Sequence, residues 1–151
     1  MNSTYEEELE RHGRFIFTNV GTSMLPLLRQ HKDLFVIEKK RGERCHKYDV
    51  VLFKRAKGQY VLHRILKVRE KDYVLCGDHQ FCREYGVTED QILGVLTKVI
   101  REGVTISVTD RKYQCYVHLW CDLFYARAAL LWMKTVPGRI RRKLRRILRK
   151  Q

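Results

Sequence analysis

The chain has 151 residues, of which 44% are hydrophobic, and carries a formal net charge of +14. That length suits one domain with a real core, and the apolar content excludes a chain disordered throughout. The charge is uneven, because residues 138–150, GRIRRKLRRILRK, hold eight arginines and lysines without an acid.

The opening MNSTYEEELERHGR is acidic and lacks an apolar centre, which argues against a signal peptide. Thr4-x-x-Glu7 has the capping-box spacing and predicts a short helix. Short apolar runs follow at 33–38 (DLFVIE), 49–54 (DVVLFK), 60–68 (YVLHRILKV), 72–76 (DYVLC), 92–100 (ILGVLTKVI) and 104–109 (VTISVT). They are rich in valine, isoleucine and leucine and too short for ordinary helices, so each predicts a strand. Strands at this spacing predict a mainly β domain over 1–110, a curled sheet or partial barrel. From 111 the pattern becomes helical, with Leu119, Leu123, Ala126 and Leu130 recurring along one stripe. Pro137-Gly138 breaks the chain, so 111–151 reads as an amphipathic helical extension with a basic tail.

Residues 116–133, YVHLWCDLFYARAALLWM, reach the lower length limit for a bilayer span but carry His118, Asp122 and Arg127. They predict a helix that packs on protein or lies at an interface, and no transmembrane helix. The five cysteines are an odd number without a secretion signal, which points to reduced thiols and a cytoplasmic location. Cys115, His118 and Cys121 fall on the predicted helix, where positions six apart point about 120° away from each other and do not suit one ion. No metal and no cofactor is expected.

Ser23 stands in NVGTSMLPLL, ahead of the first strand run. A serine hydroxyl is a weak nucleophile until a base removes its proton. His63, in YVLHRILKV, has apolar neighbours and an imidazole suited to that role. Asp78 in CGDHQF and Glu84 in CREYG are two carboxylates that loops bring within reach, either of which would fix the imidazole tautomer. Taken by spacing alone, serine, histidine and acid in this order are a weak signal.

The surrounding segments add to it. GTSMLPLL resembles the Ser-Met-x-Pro box of type I signal peptidases, and YDVVLFK resembles the Gly-Asp-x-Val-x-Phe strand that follows, with Tyr48 in place of glycine. VLHRILKV is similar to the base box in its histidine (endoplasmic-reticulum-type) version, through His63-Arg64. CGDHQ resembles the Gly-Asp-Asn box, and ILGVLTKVI the closing strand. These boxes cover residues 18–103 in family order. The resemblance implies the signal peptidase/LexA-like peptidase fold and a serine endopeptidase that cuts a precursor or leader peptide after small residues. It implies an acyl-enzyme on Ser23, His63 as base, and an oxyanion held at Ser23 with Gly21, Thr22 and Met24 beside it. Two departures matter: the family's N-terminal membrane helix is replaced by a short acidic segment, and the acid stays open between Asp78 and Glu84.

The tail suggests a partner. Arg139, Arg141, Arg142, Lys143, Arg145, Arg146, Arg149 and Lys150 surround a narrow stripe of Ile140, Leu144, Ile147 and Leu148. That composition suits peripheral contact with an anionic membrane, and the lack of aromatics in the tail makes specific nucleic-acid binding the weaker expectation. Besides a peptide or preprotein substrate, then, a membrane surface is the expected partner. The alternative is a non-catalytic basic adaptor of the same fold, binding anionic membrane or nucleic acid.

Overall fold

The computed structural model describes residues 4–133. Helix α1 (Tyr5–His12) begins on the capping box: the Glu7 N–H donates to Thr4 Oγ1 and the Thr4 N–H to Glu7 Oε2. Gly13, at φ +68°, ends it in the left-handed conformation that glycine adopts without a Cβ penalty. Strands β1 (Arg14–Thr18), β2 (Leu34–Lys39), β3 (Val50–Lys54), β4 (Tyr60–Val68), β5 (Tyr73–Cys76) and β6 (Glu84–Val87) follow. A 3-10 turn at Glu89–Gln91 leads into β7 (Ile92–Arg101), then β8 (Val104–Ser107) and helix α2 (Arg111–Asp122).

All pairings are antiparallel, in the order β1-β2-β7-β3-β4-β5-β6. The sheet is not closed. β7 organises it: β2 pairs along one edge, while β3 and β8 share the other through residues 92–95 and 98–101. The expected mainly β domain with C-terminal helices is what forms.

The first four residues of β3, Val50 to Phe53, read as an unbroken apolar run because both faces of the strand are covered there. Val50 and Leu52 enter one core cluster with Leu9, Met24, Leu28 and Leu96, whereas Val51 and Phe53 enter a second with Ile65, Tyr73 and Leu75. Two strands escaped the sequence pattern, β1 and β6, and they are the two ends of the sheet path. An edge strand covers less apolar surface, so RFIFT and EYGV carry too few buried positions to stand out.

The helical region packs on the β domain. Tyr113, Val117 and Cys121 of α2 belong to the first core cluster, and a further helical stretch over 124–133 buries Phe124 and Leu131. Among the described residues no helix is long and apolar enough to cross a membrane. The basic residues from Arg139 to Lys150 lie outside the described residues.

Candidate active site

Ser23 sits half-buried in the turn-rich segment between β1 and β2. The segment is held from inside. Met24 is 1% exposed and its carbonyl accepts the Leu28 N–H at 2.9 Å. Asn19, also buried, donates from Nδ2 to the carbonyls of Gly21 (2.6 Å) and Leu28 (3.1 Å), so one amide spans both ends of the loop. Gly21 and Thr22 stay exposed. Among the described residues, the backbone N–H groups of Ser23 and Met24 have no acceptor, as an oxyanion-binding loop requires.

His63 lies in the middle of β4, opposite Val51 of β3. On its other side β5 ends at Cys76, which pairs with Arg64. One residue further along that register stands Gly77, where the chain leaves the sheet. A Cβ on Gly77 would lie 2.6 Å from the Ser23 carbonyl oxygen and 3.1 Å from the Ser23 Cβ. The next loop N–H but one, that of His79, donates to the same Ser23 carbonyl at 2.8 Å. The serine loop is thus pressed onto the sheet edge beside the histidine, and only glycine permits the approach. Ser23 and His63 line one cleft of ≈ 530 Å³, with Phe17, Tyr60 and Leu62 among its walls. Among the described residues no hydrogen bond joins the Ser23 and His63 side chains.

The two candidate acids separate cleanly. Glu84 Oε2 lies 3.3 Å from His63 Nδ1. The approach is off the line of a hydrogen bond, which leaves buried Nδ1 without a formal partner and makes the contact electrostatic. Asp78 serves another group. Its carboxylate takes a bidentate pair from Arg64, Nε to Oδ1 at 2.8 Å and Nη2 to Oδ2 at 2.7 Å, and both side chains are essentially inaccessible. Tyr116 OH donates to Asp78 Oδ2 at 2.8 Å, and Trp120 Nε1 to the Asp78 carbonyl at 2.8 Å. With its oxygens occupied in this way, Asp78 is an anchor for α2 and for the loop that carries Gly77.

Sequence reasoning missed Arg55. It lies in the turn between β3 and β4 and grips both Glu84 oxygens, Nε to Oε1 at 2.7 Å and Nη2 to Oε2 at 2.8 Å, so it shares Oε2 with His63. In KRAKGQY it reads as a solvated turn cation, and nothing local marks its partner. The arrangement sets the charges. Arg55 holds the Glu84 carboxyl below its usual range against the opposing effect of burial. Burial lowers His63 below 6.5, an effect that the Glu84 charge reduces and the Arg55 charge reinforces. The imidazole is therefore neutral at physiological pH, the state that accepts a proton.

Set against models of known protein families, curated proteins and solved structures, the chain matches none.

Proposed function

We propose that the protein is a serine endopeptidase of signal-peptidase-like fold. Ser23 Oγ attacks the scissile carbonyl as His63 takes its proton; the same proton passes to the leaving amine, and water then hydrolyses the ester on Ser23. With Nδ1 turned to Glu84, Nε2 is the ring nitrogen left for the serine. Glu84 orients the ring and stabilises its charged form, while the N–H groups of Ser23 and Met24 face the oxyanion. One observation carries the reading: a turn serine and a buried neutral histidine line the same cleft, and a carboxylate stands 3.3 Å behind the histidine. The substrate is a peptide or preprotein segment with small residues at the cut, its other apolar side chains lying against Phe17 and Val20, which are 39% and 57% exposed.

A peptide library of mixed sequence, incubated with the purified chain and sequenced by mass spectrometry, tests this. Cleavage after small residues is expected from the wild type and none from Ser23→Ala. His63→Ala is expected to lose about a hundredfold or more in rate. Cleavage that persists in Ser23→Ala removes the serine from the mechanism, and a silent wild type turns the reading toward the non-catalytic adaptor. A peripheral membrane location belongs to the same proposal, on the strength of the eight cations within 138–150.

A further inference from the structure

The helical region after Arg111 buries one apolar face and, over 123–133, exposes another. One face is spent on the core, where Tyr113, Val117, Cys121, Phe124 and Leu131 are each 8% exposed or less. The other carries Leu123, Tyr125, Leu130, Trp132 and Met133, all between 52% and 77% exposed. Arg127 is the only charged residue from 123 to 133, and it is 4% exposed. The outward surface of this stretch therefore presents no charge at all, where a water-facing helix would carry its polar face. A contiguous exposed patch of this kind marks an interaction site.

Its surroundings indicate what covers it. Beside Tyr125 a hollow of ≈ 710 Å³ is lined by Lys47, Lys67, Arg69 and Arg83, with Asp122 as its single carboxylate. The segment that continues from Met133 adds Lys134 and the eight cations of 138–150, again without an acid. Apolar side chains rimmed by cations match an anionic bilayer, with acyl chains for the first and lipid phosphate for the second. A second copy of the chain would bring the same cations against one another, and a nucleic acid would leave the leucines in water.

We infer that the exposed face of residues 123–133 is a membrane-docking surface, in which Leu123, Leu130, Trp132 and Met133 enter the headgroup–acyl boundary of an anionic bilayer while the flanking cations meet its phosphates. This rests on the peripheral location proposed above and is independent of the peptidase chemistry. The surface is tied directly to the site loop. Trp120 holds the Asp78 carbonyl, and Arg127 Nη2 donates to the Gln80 carbonyl at 3.3 Å. Gln80 lines the Ser23 cleft, so docking keeps the cleft loop close to the lipid surface, where a membrane-inserted substrate would emerge.

Binding of the full chain to phosphatidylcholine vesicles, with and without phosphatidylglycerol, gives the test. Binding is expected only with the anionic lipid. Tryptophan emission is expected to be quenched by lipids brominated on the acyl chain, and Trp132→Phe to remove most of that quenching. Leu123→Gln with Leu130→Gln should weaken binding about tenfold or more, with an unchanged thermal melt because both side chains are exposed. Undiminished binding in that double variant together with absent quenching on the wild type means the tail alone holds the protein, and overturns the docking face. A dimer in sedimentation that the double variant dissociates overturns it in favour of a second copy, and tighter binding to single-stranded RNA than to vesicles overturns it in favour of nucleic acid. No vesicle binding at all removes the membrane location as well, while library cleavage in solution stands or falls separately.

Discussion

Glu84 answers to two partners at once, and Arg55 holds the better geometry. The guanidinium makes a bidentate pair with the carboxylate, whereas the His63 contact is longer and off-line. Glu84 thus remains ionised under acidic conditions but gives His63 only part of its charge. The groups that face His63 are Glu84, Arg55 and, at greater range, Asp78, whose charge is already paired with Arg64. Since burial lowers the imidazole below 6.5, peptidase activity is expected to persist at mildly acidic pH and to fall as pH drops through the lowered value. The same depression makes folding stability rise with pH through that window, because the unfolded chain binds the proton more readily. In Arg55→Gln the carboxylate turns its full charge to His63. The acid limb of kcat/KM and the imidazole titration seen by NMR are both expected to move to higher pH. An unmoved titration would leave Arg55 as a purely structural contact. Tyr48 is a second instructive residue. It stands at φ +81° where the resembling box has glycine, a conformation costing a bulky residue about 1–3 kcal/mol. Its side chain offsets the strain: the hydroxyl donates to Asp122 Oδ1 at 2.6 Å, and the ring packs edge-on against His118.

At the scale of elements, β4 separates two tasks by strand alternation. His63 points to one side and meets Glu84; Arg64, its neighbour, points to the other and meets Asp78. Burial works against the Arg64 charge, yet Asp78 keeps it firmly protonated, and Tyr116 is pushed up so far that its hydroxyl stays a donor. Removing one partner of such a pair strands the other charge. Asp78→Ala is therefore expected to cost about 3–5 kcal/mol of stability in urea unfolding. Glu84→Gln, at a partly exposed pair, is expected to cost about 1 kcal/mol or less while lowering turnover about a hundredfold. The reverse pattern, a stable Asp78 variant without activity and an active Glu84 variant, would exchange their roles. The histidine-arginine dipeptide was legible in the sequence, but its partners were not, because nothing along the chain says which loop carboxylate lies on which side of β4.

For the whole molecule, the helical region is part of the fold's interior and its anchor at once. Tyr113, Val117 and Cys121 complete the core that α1 and the serine segment also enter, and Tyr116 and Trp120 hold the Asp78 loop. A chain cut after Asp110 leaves that core open and the Arg64–Asp78 pair in water. It is expected to lose the cooperative thermal transition of the full chain, as followed by circular dichroism. A truncated chain that melts at the full-length temperature would mean that the sheet is self-sufficient.

The sequence by itself determined the class of the fold and its central strands, because runs such as VVLF (50–53) and YVLC are buried on both faces and must be apolar at every position. It also determined α1, through the Thr4–Glu7 box, and the change from strands to helices near residue 110. Only the tertiary structure decided which carboxylate faces His63, why Gly77 must be glycine, and that Arg55 shares Glu84. These are contacts between segments up to 54 residues apart, Ser23 against Gly77 for one, and depend on strand register and on where β5 stops. Local pattern reports how much of a side chain is covered; it carries no record of which distant group does the covering.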